Sequence, residues 1–370
     1  MKVLLIIGTR PEAIKLAPVY RALEARDDIT TRLVLTGQHR DMARGVLELF
    51  GVAADIDLDV MKPSQTLTTL SARISAGLAR VIEEEAPSSI VVQGDTTSAM
   101  IGAIMGFYAG CRVAHVEAGL RTGNMSAPFP EEFNRRVITL GAYWHFAPTR
   151  EAADNLTREN VSANIHVVGN TVIDAAISMS KIMTLGKKKI ISQLPFLENS
   201  GRKTILITVH RRENIGSPME NISDAVAELA DKYPDFDFVV PVHPNPVVGS
   251  ILRPRLESKK NVHLVAPLDY DQMVHVITKS HLILTDSGGI QEEAPAFNVP
   301  VLVLRNETER MEGVEAGCSR IVGTDRVRIV SETERLLMNS EGYAKMAQSR
   351  NPYGQGNASE AIAQILSLAE

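Results

Sequence analysis

Met1-Lys2-Val3-Leu4-Leu5-Ile6-Ile7-Gly8-Thr9-Arg10-Pro11-Glu12-Ala13-Ile14-Lys15 opens the chain, and the order of residue types in this stretch decides the fold class. Residues 3–7 are apolar at every position rather than at every second one, which is the pattern of a strand covered on both faces. Pro11 then suits the first turn of a helix, where its missing N–H is no loss. The same unit recurs. Apolar runs at 32–35, 90–92, 113–116, 145–147 and 166–168, and again at 204–209, 238–242, 262–265, 282–285 and 300–304, alternate with longer helical patterns. Regular β–α alternation predicts an α/β protein with parallel sheets wrapped by helices.

Composition narrows the function classes. The chain has 370 residues, 44% hydrophobic and 22% charged, which is ordinary for a globular protein of two domains. Lys and Arg together number 39 against 44 Asp and Glu, a net charge of −5, so general nucleic-acid or anionic-membrane binding is not expected. Cys111 and Cys318 stand far apart without a CxxC pair, which argues for reduced thiols and against a disulfide scaffold or zinc site. The apolar opening is too short for a secretory leader. Residues 99–110 fall short of a bilayer span and read as a buried helix with Gly102 and Gly106 at a close contact. A cytoplasmic protein is expected.

Residues 181–203, with Lys187-Lys188-Lys189, Pro195 and Ser200-Gly201, separate the two series of strands and read as a linker. The boundary is placed near Gly169 to Asp174. Two facing doubly wound Rossmann-like domains, with the ligand site in the cleft at the carboxyl ends of both strand sets, are the expected architecture.

Polar clusters follow the strands. In Gly8-Thr9-Arg10-Pro11-Glu12-Ala13-Ile14-Lys15, Arg10 and Lys15 flank a helix start, a natural place for an anion, although solvated cations look the same. No GxGxxG follows this first strand and no GxxxxGK[ST] occurs, which weakens dinucleotide and P-loop readings. Asp95 in Gln93-Gly94-Asp95-Thr96-Thr97 serves equally as a helix cap. Glu117, in His115-Val116-Glu117-Ala118-Gly119-Leu120-Arg121, ends a strand where a carboxylate helps neither propensity nor packing. Glu131 and Glu132 in Pro130-Glu131-Glu132 favour a helix start. In the second half, His210-Arg211-Arg212-Glu213 brings a His and two Arg together, suited to an anionic ligand. His243 repeats the theme after the next strand. In Asp286-Ser287-Gly288-Gly289-Ile290-Gln291-Glu292-Glu293, the glycines let backbone N–H groups approach a phosphate, and Glu293 lies one turn on with reach to a ribose diol. No HExxH, CxxC or GxSxG spacing supports a metal site or a serine hydrolase.

Taken in order, these motifs resemble those of the non-hydrolysing UDP-N-acetylglucosamine 2-epimerases over nearly the whole chain. The resemblance implies the two-Rossmann, GT-B-like arrangement shared with nucleotide-sugar glycosyltransferases. Residues 1–169 would carry the catalytic carboxylates, residues 170–352 would bind UDP, and a helix within 353–370 would cross back to the first domain. It further implies that Arg10, Lys15, His210, Ser287, Gly288 and Gly289 hold the UDP portion, with Glu293 on the ribose and Arg310 supporting the nucleotide or phosphates. Asp95, Glu117 and Glu131 would be the catalytic carboxylates, with His210 near the departing diphosphate; Asp95 and Glu117 would also touch substrate.

The implied reaction is reversible C2 epimerisation of UDP-GlcNAc to UDP-ManNAc by UDP elimination to 2-acetamidoglucal and re-addition, without nicotinamide or metal cofactor. A homodimer serving polysaccharide or glycoconjugate synthesis is implied too. Gln93 departs from the His that often precedes Gly-Asp-Thr-Thr, and Leu268 and Met273 stand where some relatives carry Gln and Phe. Gln38, Arg211 and His243 fit a second, activating substrate site, while Asp41 and Ser64 do not. An epimerase of a related UDP-2-amino sugar and a glycosyltransferase using a UDP-sugar remain alternative readings.

Overall fold

A computed structural model of the chain describes residues 1–38, 40–62, 64–186, 194–199 and 201–368, so the Lys187-Lys188-Lys189 run lies outside the described residues. The chain divides into two compact units, one of Met1–Ser178 with Tyr353–Glu370 and one of Met179–Pro352.

The first unit runs β1 (Lys2–Ile7), α1 (Arg10–Glu24), β2 (Thr30–Leu35), α2 (Arg40–Leu49), β3 (Ile56–Asp57), α3 (Leu67–Glu85) and β4 (Ser89–Gln93). It continues with α4 (Thr97–Tyr108), β5 (Arg112–Val116), α5 (Glu131–Gly141), β6 (Trp144–Ala147), α6 (Arg150–Arg158) and β7 (Ile165–Val167). The long helix α7 (Thr171–Gly186) begins in this unit and ends in the second.

The seven strands form one sheet in the order β3-β2-β1-β4-β5-β6-β7. Every pairing is parallel, with Leu4 opposite Arg32 on one side and Ile90 on the other. Helices cover both faces, which is why the central strands are apolar throughout. Leu4, Ile6, Ile90, Val92 and Val113 pack against Ile74 and Leu78 of α3 and Ala99 and Ala103 of α4. Helix α4 lies close to the sheet because Gly102 and Gly106 face it. A Cβ on either would fall 2.8 Å from Ile6 Cδ1 or Ile90 Cδ1.

The second unit contains α8 (Phe196–Asn199), β8 (Lys203–Thr208), α9 (Ser217–Lys232), β9 (Phe236–Pro241), α10 (Pro246–Leu256), β10 (Val262–Val265) and α11 (Tyr270–Lys279). There follow β11 (Ser280–Thr285), α12 (Gly288–Glu293), β12 (Val301–Val303), α13 (Met311–Glu315), β13 (Ser319–Ile321), α14 (Arg326–Met338) and α15 (Ser340–Ala347). Its six-stranded sheet, β10-β9-β8-β11-β12-β13, is again parallel throughout. Ile205 and Ile207 face Met219, Ile222, Val226 and Leu229 of α9, whereas Leu206 points to the other layer with Val276 and Ile277 of α11. Alternate residues of one apolar strand thus feed two separate cores. The last helix, α16 (Ala358–Ser367), packs on α1 in the first unit. Asp174 receives its Ala358 and Ser359 backbone N–H groups at 3.3 and 2.8 Å.

The sequence reading places every central strand and overlooks β3 and β13. Both are short sheet edges, Ile-Asp and Ser-Arg-Ile, with too few apolar side chains to stand out. Among the described residues, no helix is long and apolar enough to cross a membrane.

Candidate active site

Each sheet reverses its strand order between its first and fourth strands, β1/β4 in one and β8/β11 in the other. Loops leaving the carboxyl ends of such neighbours diverge and leave a crevice, the place where doubly wound sheets bind ligands. The Gly8–Lys15 and Asp95 clusters follow β1 and β4, the His210 and Asp286 clusters follow β8 and β11, and Glu117 and His243 follow the neighbouring strands β5 and β9.

In the first unit, Glu117 follows β5 with φ +63°, a left-handed backbone that a non-glycine residue adopts at a cost of about 1–3 kcal/mol. Its carboxylate, almost wholly buried, pairs with Lys15 Nζ at 2.5 Å and accepts hydrogen bonds from Gln93 Nε2 and from Asn170 Nδ2, the latter at 3.3 Å. Lys15 projects from α1, Gln93 ends β4 and Asn170 precedes α7, so three elements converge on one carboxylate. Lys15, which the resemblance gives to the UDP portion, pairs with Glu117 in the first unit. Arg10, the first residue of α1, is exposed.

Asp95 leaves β4 and is held by α5, with Arg135 Nη1 at 2.8 Å from Oδ2 and Asn134 Nδ2 donating to its carbonyl at 2.8 Å. Burial pushes the Asp95 carboxyl above the usual range, and the charges of Glu117 and Glu131 add to this, while Arg135 and Lys15 oppose it. Glu131 opens α5, and its Oε2 is buried with no hydrogen-bond partner among the described residues. An unsatisfied buried carboxylate oxygen is rare in a folded protein and points to a functional role. Asp95, Glu117 and Glu131 therefore belong to one electrostatic cluster with Lys15.

The surrounding loops are fixed from beneath. Glu12 Oε2 accepts from Gly8 N at 3.1 Å, Thr9 N at 2.7 Å and Thr9 Oγ1 at 2.8 Å, and Oε1 accepts from Thr96 Oγ1 at 2.8 Å. It ties the β1 and β4 loops together, and burial pushes its carboxyl up to about 7. His115 Nε2 lies 2.8 Å from the Gly94 carbonyl, and burial pushes this imidazole down to about 3, so it is neutral and donates there.

In the second unit, Asp286 organises the loops after β8 and β11. It is wholly buried and accepts from the His210 and Arg211 backbone N–H groups, both at 2.9 Å, and from Asn214 Nδ2 at 3.0 Å. His210 Nδ1 stands 3.2 Å from its Oδ1, and the His210 ring stacks on His243 with centroids 5.6 Å apart. Burial would raise the Asp286 carboxyl, but the His210 and Arg211 contacts hold it below the usual range. The imidazole is oriented by a fixed carboxylate.

Ser287 precedes α12, and the Arg211 and Arg310 guanidinium groups both lie within 4 Å of where a Gly288 side chain would stand, at 3.6 and 3.8 Å. Two guanidinium groups flanking a side-chain-free backbone form a cradle matched to phosphate. Arg310 is itself anchored by Glu292. Glu293, one turn along, accepts a hydrogen bond from Tyr270 Oη at 3.0 Å. Among the described residues no group of three or more His, Cys, Asp or Glu side chains could hold a metal ion.

The family model for UDP-N-acetylglucosamine 2-epimerase matches residues 21–367. The chain belongs to the UDP-N-acetylglucosamine 2-epimerase family. It is 47% identical to the UDP-N-acetylglucosamine 2-epimerase of Neisseria meningitidis over 99% of both chains, and 45% identical to that of Salmonella typhimurium over 99% of this chain and 98% of the relative. The crystal structure of the Neisseria meningitidis UDP-GlcNAc 2-epimerase bound to UDP-GlcNAc superposes with a TM-score of 0.89 at 46% identity, covering 99% of each chain. The fold is thus the GT-B-like, two-domain α/β fold of the 2-epimerase family.

Within this 2-epimerase framework the structure brings Asp95, Glu117, Glu131 and Lys15 together in the first unit, and His210, Arg211, His243, Gly288 and Arg310 together in the second. Gln38, in the first unit, accepts from Ser98 Oγ at 2.9 Å. Sequence reasoning assigned no role to Arg135, Asn170, Tyr270 or Asp286. Asp286 stands inside a quoted motif, but the burial and hydrogen bonds that distinguish it exist only in the fold. Arg135 lies 40 residues from Asp95, a pairing that only the fold reveals.

Proposed function

We propose that the protein interconverts UDP-GlcNAc and UDP-ManNAc by inversion at C2, with UDP eliminated and re-added. The first unit supplies the acid–base groups and the second holds the nucleotide. No carbonyl acidifies the C2 proton, so a carboxylate removes it only as the C1–oxygen bond to UDP weakens and oxocarbenium character develops. The C2–H electron pair becomes the C1–C2 double bond of 2-acetamidoglucal, the proton passes to a carboxylate, and UDP leaves with the C1–O pair. A second carboxylate then delivers a proton to the opposite face of C2 while a UDP oxygen returns to C1. Glu117 is the base in this reading, with Lys15 paired to it, and Asp95 and Glu131 serve the complementary proton transfers. His210, Arg310 and the Gly288–Gly289 backbone stabilise the departing diphosphate, and Glu293 takes the ribose hydroxyls.

The observation that carries this reading is the carboxylate cluster itself. Glu117 adopts a costly left-handed backbone and its carboxylate is gripped by three side chains, beside Asp95 and a Glu131 oxygen with no partner among the described residues. A nucleotide-sugar binder with no proton chemistry has no use for such a grouping. In this reading residues 1–169 serve proton transfer, 170–352 bind UDP, and the helix within 353–370 returns to the first domain. A cytoplasmic homodimer making precursors of polysaccharides or glycoconjugates completes the proposal.

Proton NMR of UDP-GlcNAc with the protein in D₂O, without added cofactor, tests it. Loss of the C2 proton with new UDP-ManNAc signals is the expected result. Unchanged C2–H with bound nucleotide, or UDP release only when a sugar acceptor is added, would replace epimerisation with transfer or another UDP-sugar. Glu117→Gln is expected to slow C2 exchange by about 10²–10⁴-fold; exchange at the original rate would remove Glu117 as the base.

A further inference from the structure

Arg135 lies one turn into α5, its side chain almost wholly buried, and divides its guanidinium between two carboxylates. Nη1 is 2.8 Å from Asp95 Oδ2 and Nη2 is 2.8 Å from Glu132 Oε2. Glu132 is fully buried and accepts in addition from Thr122 N at 3.0 Å, Gly123 N at 3.3 Å and Arg136 Nε at 3.2 Å. Burial would raise the Glu132 carboxyl, but the hydrogen bonds from Arg135, the Thr122 backbone and Arg136 hold it down to about 2. Glu132 is therefore a fixed anion that anchors Arg135 while bracing the loop leading out of β5. The adjacent residue, Asn134, grips the Asp95 carbonyl. One helix thus presents Glu131 to the acidic cluster and clamps both the side chain and the backbone of Asp95.

We infer that Arg135 is the positioning residue for Asp95, fixing its carboxylate in place and setting a positive charge against it beside Glu117 and Glu131. This rests on the epimerase reading, in which Asp95 is one of the groups that transfer the C2 proton. The charged and titratable groups facing Asp95 are Arg135 and Glu131 from α5, Glu117 from the end of β5 and Lys15 from α1. Glu12 reaches the same loop through Thr96, and His115 reaches it through the Gly94 carbonyl. Of the two cations, Lys15 is paired with Glu117, whereas Arg135 hydrogen-bonds the Asp95 carboxylate. Without Arg135, burial and two neighbouring carboxylates act on Asp95 in the same direction.

The test uses the full chain with Arg135→Met and Arg135→Lys, read by three measurements. These are kcat and KM for C2 epimerisation, UDP affinity by calorimetry, and the titration of Asp95 followed by carboxyl ¹³C NMR in aspartate-labelled protein. Arg135→Met is expected to lower kcat by about 10–100-fold, the scale of one charge-assisted hydrogen bond, with KM and UDP affinity near those of the parent. The Asp95 carboxyl should titrate at higher pH than in the parent. Arg135→Lys keeps the charge but not the two-carboxylate fork, so it should fall between parent and Met variant in both readouts.

If Arg135→Met does not fold because Glu132 loses its partner, Arg135→Met with Glu132→Gln removes both charges, and the same upward titration of Asp95 is expected there. Parent-like Asp95 titration in a folded Met variant, or a fall in kcat unaccompanied by that shift, overturns the inference. The NMR titration needs no turnover. A parent protein that does not epimerise UDP-GlcNAc defeats the functional reading without touching the Asp95 measurement.

Discussion

Glu12 and Glu117 stand close in the fold and differ in what surrounds them. Glu117 meets an ammonium group, whereas Glu12 meets only hydroxyl and backbone N–H donors, and burial there pushes its carboxyl up to about 7. An unfolded glutamate releases its proton near 4.5, so between these values the folded state binds the additional proton. The associated stabilisation is complete below about pH 4.5 and is lost as pH rises through about 7. At ~1.4 kcal/mol per pH unit the change is roughly 3 kcal/mol. Glu12→Gln retains an acceptor for the Gly8–Thr9 amides but cannot titrate. Urea midpoints at pH 5 and pH 8 should therefore fall for the parent relative to the Gln variant as pH rises. Parallel behaviour of the two proteins would mean that Glu12 is ionised throughout. Glu117 was legible in the sequence because a carboxylate ending an apolar strand has no structural excuse. Glu12 was not, because a glutamate three residues after a threonine reads as a capping box, which it also is.

The exit from β5 shows how an element's end sets the position of a functional side chain. Ala118 N donates to Phe146 O at 3.0 Å and Asn155 Nδ2 donates to Gly119 O at 3.0 Å, so the turn is stitched to β6 and α6. Gly119 has φ +91°, and a Cβ there would fall 2.1 Å from the Ala152 carbonyl oxygen of α6. Backbone cannot yield as a side-chain tip does, so Gly119→Ala must push the turn off α6 and carry Glu117 with it. A loss above about 3 kcal/mol in thermal stability is expected, together with slowed C2 exchange. Unaltered melting and exchange would show that the turn has another resting position. Strand existence was readable from apolar runs wherever both faces are covered. Edge strands β3 and β13, covered on fewer sides, carry Asp57 and Arg320 and gave no such run. The contacts that join loops, such as Asn170 to Glu117 across 53 residues, depend on strand order, which the pattern of apolar runs does not encode.

Two sheets with the same order of their first six strands, each reversing between its first and fourth strand, give the chain two crevices of different chemistry. The first is lined by carboxylates balanced by Lys15 and Arg135, and the second by Arg211, Arg310 and His210 around a side-chain-free backbone. Under the proposed function, the cationic crevice of the second unit suits an anionic nucleotide and the carboxylates of the first suit proton transfer on a neutral sugar. Substitutions in the two units should then separate cleanly in their effects. Glu117→Gln is expected to abolish nearly all C2 exchange while UDP affinity, measured by calorimetry, stays within about twofold of the parent. Arg310→Ala removes one charge-assisted contact to phosphate and is expected to weaken UDP by about 10–100-fold. Its residual C2 exchange at saturating UDP-GlcNAc should still far exceed that of Glu117→Gln. The reverse pattern, with UDP affinity lost on substituting Glu117 or untouched on substituting Arg310, would break the division of labour. It would move nucleotide recognition into the first unit, where Arg10 is an exposed cation at the start of α1.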